Sequence, residues 1–311
     1  MASTTTTLTG LMQTFYDKKF LTRAKEMQTY DVGAQVRSIP SNGGKTVYFT
    51  RFSPLAKATT ALTEATNPSF VDMSTTTVSA VVAEYGSAVK VGTLFELTSI
   101  DTNLAEHVDV IAQNAGETVD ELILAALNNN GTAQLANGVA AVSSIAASDT
   151  MDGTEIRKAV RTLKLNKAPK FEDGKYKAII PVSATHDLRG DSEWLDAHRY
   201  VGNAEAIRNG EIGMLHGVKF YETNNEQLDV NAGAGNVDVY STFVFGKEAY
   251  GIVDIAGTSS PKVYVKNPNG GSTDNPIDMF STIGWKVHFA AKVLNSTWLI
   301  QIKSASSVGA N

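Results

Sequence analysis

The 311-residue chain contains no cysteine. Disulfides, thiolate metal sites and thiol nucleophiles are therefore excluded, and any assembly built from it must be held by packing, interlocked loops or another bond. Nor is there a positive surplus: 27 Lys and Arg face 32 Asp and Glu, a formal net charge of −5. Dedicated nucleic-acid binders neutralise phosphates with excess Lys and Arg, so this balance argues against one. A mildly acidic subunit can still face DNA without gripping it. No apolar run approaches the ~20 residues of a membrane span. Met1 to Thr9 is Thr-rich and uncharged, unlike a signal peptide. The expectation is a chain made in the cytoplasm, without membrane contact. Its 42% hydrophobic and 19% charged residues are ordinary globular composition, enough for one large domain or two modest ones.

Recognisable chemistry is also missing. Gly43-Gly44-Lys45-Thr46 resembles the end of a phosphate-binding loop, but Ile39 stands where the first glycine is required, and a strand pattern follows where a helix is needed. His186, Asp187, Asp191, Glu193, Asp196 and His198 crowd one segment without matching a catalytic metal spacing; helix caps and surface ion pairs explain the same residues. Neither a Gly-x-Ser-x-Gly elbow nor a Gly-x-Gly-x-x-Gly fingerprint occurs. Arg157, Lys158, Arg161, Lys164, Lys167 and Lys170 form a basic helix face and tail, which reads either as a solvated face or as a nucleic-acid contact. The sequence thus assigns no catalytic residue, cofactor or metal, and the expectation is a protein that is not an enzyme.

What is present is a distinctive order of elements. Leu8, Leu11, Met12, Phe15 and Phe20 recur at helical spacing, followed by an expected irregular stretch from Thr29 to Lys45. Residues 1–45 read as an arm. Thr46–Phe52 and Thr75–Val91 read as strands, and the small, polar residues between them are too many for a loop inside a compact domain. That stretch is expected to be a projecting hairpin occupied with another molecule. Asp101–Asn128 is the clearest helix, with Asp101 or Thr102 as cap and Asn128-Asn129-Asn130-Gly131 as stop. A second helix, from about Asp152 to Leu165, has Asp152 and Glu155 at capping-box spacing. Tyr176–Val182 and Val218–Glu222 are expected strands, with short helices around His186 and Trp194. Phe243–Ile255 is a strand region broken at Gly246 and Gly251. Residues 283–303 alternate on both sides of Asn295-Ser296-Thr297, which predicts a long antiparallel hairpin.

Several segments carry a family resemblance. AEYGSAVKVGTLFELTSID, containing Tyr85 and Gly86, leads into a helix carrying ETVDELILAAL, which contains Asp120. This is similar to the passage from strand to spine helix in tailed-bacteriophage major capsid proteins, in the subfamily typified by the coat protein of coliphage N-four. YKAIIPVSATHDLRGDSEWLDAHRY and IRNGEIGMLHGVKFYETNN resemble the axial-domain signature of the same subfamily. The matching residues are Tyr176, Pro181, Asp187, Leu188, Gly210, Glu211, Ile212 and Gly213. FVFGKEAYGIVDI also fits its later strand region. The resemblance covers roughly residues 40 to 303.

The resemblance implies an α+β chain with the HK-ninety-seven-type capsid fold: an N-terminal arm (1–45), an extended β-hairpin loop with its flanking strands (46–91), a peripheral domain with spine helix and antiparallel sheet (92–150), an α+β axial domain (151–260), and a return to the peripheral domain with a C-terminal β hairpin (261–311). It implies a major capsid protein that self-assembles, as hexamers and pentamers, into the icosahedral shell around a phage double-stranded DNA genome. Assembly is expected in the host bacterial cytoplasm and the product in the virion. Implied partners are a separate scaffolding protein, a portal protein, a possible decoration protein and packaged DNA touched non-specifically. Phe52, Pro54, Leu55, Lys57, Leu62 and Phe70 are the inter-subunit candidates. Lys57 is also the loop lysine that a covalent cross-link to an asparagine such as Asn295 would require. The alternatives are an encapsulin-like nanocompartment shell, a tail or decoration protein, and a hydrolase using the His186–His198 segment.

Overall fold

A computed structural model describes residues 9–40, 43–62, 64, 67, 70–98, 104–195, 213–255, 260–266, 275 and 277–308. The first elements are helix α1 (Thr9–Glu26), strand β1 (Gln35–Ile39) and the strands β2 (Thr46–Phe52) and β3 (Thr75–Val81). Strand β4 (Ala83–Gly92) leads through the short helix α2 (Thr93–Thr98) to the long helix α3 (Leu104–Leu127). Then come β5 (Thr132–Leu135), α4 (Gly153–Leu165), β6 (Tyr176–Pro181) and α5 (Val182–Gly190). Strands β7 (Met214–Leu215), β8 (Val218–Thr223), β9 (Leu228–Asp229) and β10 (Val239–Phe245) follow. The last strands are β11 (Tyr250–Ile255), β12 (Lys262–Lys266), β13 (Phe280–Val293) and β14 (Leu299–Ser304).

Two sheets organise the chain. A five-stranded sheet joins β1, β11, β13, β12 and β4, and a seven-stranded sheet joins β5, β14, β10, β6, β8, β7 and β9. Strand β10 explains how they share a core. All seven of its residues are buried, because β14 and β6 flank it and both of its faces are covered. Phe243 and Phe245 point to the side of α3, where they meet Tyr30, Val119, Ile123 and Trp285. Val244 points to the other side and joins Ile156, Val160 and Leu163 of α4 with Leu188 of α5. A strand buried on both faces reads as a continuous apolar run, as this one does.

The spine helix α3 has 24 residues, about 36 Å at ~1.5 Å per residue. Val108, Ile111, Ala112, Ala115, Val119, Ile123, Leu124 and Leu127 are all buried and form one apolar stripe along it. Its caps at Asp101 or Thr102 lie outside the described residues. At its C-terminal end Asn129 adopts φ 58° and donates its N–H to Gln301 Oε1 at 3.0 Å, so the expected stop is where β14 is fastened. Trp285 Nε1 donates to Asn114 Oδ1 at 3.0 Å and ties the helix to β13. In α4, Asp152 accepts the Glu155 N–H at 2.9 Å as the capping-box spacing requires.

Several expectations are corrected. β13 and β14 do not form a hairpin: β13 pairs with β4, β11 and β12, while β14 pairs with β10 and, in parallel, with β5. Between them Asn295 caps a 3₁₀ turn, accepting from Thr297 N and Oγ1, and turns the chain into the other sheet. Alternation shows which face of a strand is buried; it does not show which strand lies beside it. Likewise Thr75–Val91 is not one strand but two, parting at the buried Val82: β3 pairs with β2, and β4 pairs with β13.

Residues 29–45 are not wholly irregular, because β1 pairs in parallel with β11 from Gln35↔Gly251 to Ile39↔Ile255. Gly251 therefore sits inside a strand, and the break is confined to 246–249, where the chain changes sheet. The arm is also less detached than expected. Phe20, Ala24 and Tyr30 are buried, and α1 lies along α3. Gly116 permits this closeness, since a Cβ there would collide with the Ala24 carbonyl.

Because Ile123 is fully buried among Tyr30, Phe243 and Phe245, an Ile123→Asp chain should lose at least about 3 kcal/mol, the scale for an uncompensated buried charge. The check is soluble yield and far-ultraviolet helicity beside wild type; full retention of both would mean the stripe does not face this core.

Candidate subunit interface

A buried polar network gathers around Asp120 in the middle of α3. Its Oδ1 accepts the N–H groups of Thr29 at 2.8 Å and Tyr30 at 2.7 Å, and its Oδ2 accepts from Asn225 Nδ2 at 3.4 Å. Tyr30 Oη donates to the Asn225 carbonyl at 2.9 Å. Tyr250 Oη reaches the carbonyls of Tyr30 at 2.7 Å and Val32 at 2.9 Å. One carboxylate thus holds together the arm, the spine helix and the loop after β8. Burial lifts its pKa from 3.8 to about 6, outweighing the three hydrogen bonds that pull it down. Burial likewise drives the Tyr30 and Tyr250 phenols far above their ordinary range.

The other motif positions are placed as follows. Tyr85 packs beside the main core, and Gly86 sits opposite Lys286, where a Cβ would stand 2.5 Å from the Trp285 carbonyl. Tyr176 is buried in β6 and donates its hydroxyl to the Ala168 carbonyl at 3.2 Å. Pro181 ends β6 and N-caps α5, where Thr185 Oγ1 donates to its carbonyl at 3.0 Å. Asp187 accepts from the Ser307 N–H at 3.0 Å and also from the Ser307 hydroxyl, which fastens α5 to the C-terminal segment, and Leu188 is fully buried. Gly213 lies exposed at φ 42°. Gly210, Glu211 and Ile212 lie outside the described residues, as do Asp196 and His198. These positions brace the two sheets and do not converge on a pocket.

In the His186 segment the described acids serve as caps and ion-pair partners. Asp191 Oδ2 accepts from the Gly153 N–H at 2.9 Å, and Glu193 pairs with Arg157 at 3.3 Å and His216 at 3.4 Å. Among the described residues no group of three or more His, Asp or Glu is placed to hold a metal ion. None of the described helices is long and apolar enough to cross a membrane.

The unusual surface is apolar. β2 and β3 pair from Thr46↔Val81 to Phe52↔Thr75 and form the expected hairpin. Its root is anchored, with Val47, Phe49 and Ala80 packed on Ile39 and Val253, while Arg51 lies 5.4 Å over the Trp298 ring. Beyond the root the side chains leave the core. Phe70 is 95% exposed and Leu62 74%, and Phe52, Pro54, Leu55 and Lys57 are exposed or nearly so. A large aromatic left wholly in water on an anchored hairpin has no account within one chain.

A second apolar patch was not anticipated from the sequence. Thr93 N and Oγ1 donate to the Met279 carbonyl at 3.0 and 3.1 Å, which sets α2 beside the start of β13. There Leu94, Leu97, Ile277 and Met279 are exposed, Leu97 at 84%. The ten residues of β4 separate this patch from the hairpin root, about 33 Å at ~3.3 Å per residue. The signal in the sequence was faint: a short apolar run within TLFELT, whose partner residues Ile277 and Met279 lie far along the chain.

A stiff two-sheet wedge with apolar surface at a projecting loop and at the far end of its long sheet is a shell-building subunit. The sequence model described as phage capsid protein matches residues 13–258, and the chain belongs to that family. It is a major capsid protein, a structural component of the phage particle that self-assembles into its shell. No curated protein matches the chain. Among solved structures it is similar to the capsid of Ralstonia phage GP4, at 14% identity and TM-score 0.73, over 91% of this chain and 90% of that one. The capsid of cyanophage P-SCSP1u matches at 16% identity and TM-score 0.65, over 90% and 89%. Mycobacterium phage Che8 matches at 19% and 0.58, over 84% and 85%. These likenesses bear out the α+β capsid fold. The nanocompartment alternative is not favoured.

The Asp120 junction makes a prediction about acid. Its folded pKa of about 6 lies above the ordinary 3.8, so between those values the folded chain binds more protons than the unfolded one. The group's contribution is therefore full below that window and lost as pH rises through it. Denaturant midpoints of the unassembled subunit should fall less from about pH 4 to about pH 7 in Asp120→Asn than in wild type. Asp120→Ala should cost about 3 kcal/mol near pH 4, where its backbone donors lose their acceptor, and less near pH 7, where the wild type has already lost this group's contribution.

Proposed function

We propose that this chain forms the hexamers and pentamers of an icosahedral head around double-stranded DNA, in the subfamily typified by the coliphage N-four coat protein. The observation that carries this is the anchored hairpin on which Phe52, Leu55, Leu62 and Phe70, with Pro54 and Lys57, are left exposed by the described residues of their own subunit. A neighbouring copy supplies their partner. The five-stranded sheet with α3 acts as the peripheral domain and the seven-stranded sheet with α4 and α5 as the axial domain. Exposed apolar area spread over separate surfaces suits a lattice in which each subunit touches several others and stability belongs to the assembly. Assembly takes place in the host bacterial cytoplasm with a separate scaffolding protein, around a portal, and decoration proteins are compatible with the finished surface.

Removal of residues 54–73 should leave a folded, soluble subunit that no longer forms closed particles, since Ser53 N and the Ser74 carbonyl already close the hairpin at 2.9 Å. Circular dichroism of the subunit and negative-stain micrographs of cells that also express the scaffolding gene check both halves. Normal closed shells from this variant would overturn the role given to the loop.

The shell is also proposed to be noncovalent. Lys57 has the reach for a cross-link, but Asn295, the candidate acceptor, is buried and holds the 3₁₀ turn through Thr297. Particles boiled in detergent should give one gel band near the chain mass of 33.2 kDa. A ladder of multimers that disappears in Lys57→Ala particles would give Lys57 a chemical role instead.

A further inference from the structure

From Arg157 to Lys170 the chain carries six Lys or Arg and no Asp or Glu, in a protein of formal net charge −5. The fold sets this run on α4 and the turn behind it. Ile156, Ala159, Val160 and Leu163 face the core, and Arg157, Lys158, Arg161 and Lys164 face solvent. Acids near the start of the helix neutralise two of the cations: Glu155 holds Lys158 at 2.6 Å, and Glu193 meets Arg157 at 3.3 Å. Arg161, Lys164 and Lys167 have no acidic partner among the described residues. Arg157, Arg161 and Lys164 line a shallow cavity of about 470 Å³ with His216 and Leu165.

The helix end sharpens the pattern. Ala168 N donates to the Leu163 carbonyl at 2.9 Å and Lys167 N to that of Lys164 at 3.0 Å. These bonds form a Schellman cap, whose left-handed position favours glycine. Lys167 occupies it at φ 52°. A cation thus stands where the backbone alone prefers a residue without a side chain. Lys170 continues the row, with Nζ 5.8 Å over the Tyr176 ring.

We propose that this face binds the phosphate backbone of the nucleic acid enclosed by the shell, an inference that rests on the shell reading above. Arg161, Lys164 and Lys167, at i, i+3 and i+6, fall along about 9 Å of the helix and its cap. Duplex DNA presents one charge per about 1.7 Å of axis, so such a row meets several phosphates at once. An acidic peptide is the poorer fit, because a docked helix needs a stripe of apolar anchors, and the rim offers one exposed leucine, Leu165. Contacts of this kind position without reading sequence.

The test uses the full-length, unassembled subunit and a fluorescein-labelled random-sequence duplex, with affinity followed by anisotropy across a range of NaCl concentrations. Four contacts predict a slope of log affinity on log salt of about −3.6, and Arg161→Gln/Lys164→Gln/Lys167→Gln should flatten it by about 2.7. Lys262→Gln/Lys266→Gln, on β12, should leave it unchanged. Lys167→Gly should raise the melting temperature through the better cap and still flatten the slope by about 0.9, a pairing that a purely structural role would not give. Equal slopes for wild type and the triple variant would overturn the proposal. So would polyglutamate displacing the duplex as well as unlabelled DNA of equal charge, which would reassign the face to an acidic protein. Micrographs of the triple variant should still show closed shells. Their loss together with a flattened slope would instead place the face in a contact between subunits and overturn the proposal, and a wild type that forms no shells would count against the shell reading itself.

Discussion

One buried carboxylate connects the parts of this molecule that sequence distance keeps apart. Asp120 accepts hydrogen bonds from Thr29 and Tyr30, 91 and 90 residues away, and from Asn225, 105 residues away. Burying a charge is costly unless donors surround it, and here two of the donors are backbone N–H groups that would otherwise be stranded. The carboxylate and the arm therefore solve each other's problem. Tyr30 and Tyr250 extend the junction into β11, so arm, spine and both sheets are tied together at one point. A shell subunit needs such stiffness, because its surfaces must keep a fixed angle to meet several neighbours together.

Rigidity and stickiness are divided cleanly. Most apolar residues of β10, β13 and α3 lie inside, where they set the wedge, although Val110 of α3 is exposed. Those of the hairpin and of the α2 corner remain outside, each on an element whose root is held. Phe49 and Ala80 fix the base of the hairpin, and the bonds from Thr93 to Met279 fix the corner. Exposed apolar surface on a mobile segment invites indiscriminate aggregation. The same surface on a held segment presents one geometry and so selects one partner.

What the sequence made legible follows from how local the cause is. The spine helix was readable because its stripe repeats through the whole length, and α4 because Asp152 and Glu155 make their cap within four residues. The projecting hairpin announced itself by the length of a small, polar loop. β1 was invisible because four of its five residues are exposed; backbone bonds to β11, not side-chain pattern, make it a strand. The split at Val82 and the parting of β13 from β14 were hidden for a related reason, since the choice of partner strand is settled by the whole sheet. Asp120 was marked by motif, but its role needed Tyr30 and Asn225 beside it. Leu97 and Ile277 meet as one patch only through the register of β4 on β13.

That division has a consequence for charge. With apolar area proposed as the attraction between copies, the charged residues are free to serve other ends, and a net negative chain resists random association through its own repulsion. Against that background an uninterrupted positive row is costly to keep unless something offsets it. Glu155 and Glu193 offset the beginning of the α4 row, and nothing among the described residues offsets its end. Lys167, left-handed where glycine fits better, is the residue at which backbone preference and charge conflict most directly. The backbone has yielded, and it has done so at the point where the row leaves the helix and turns toward solvent.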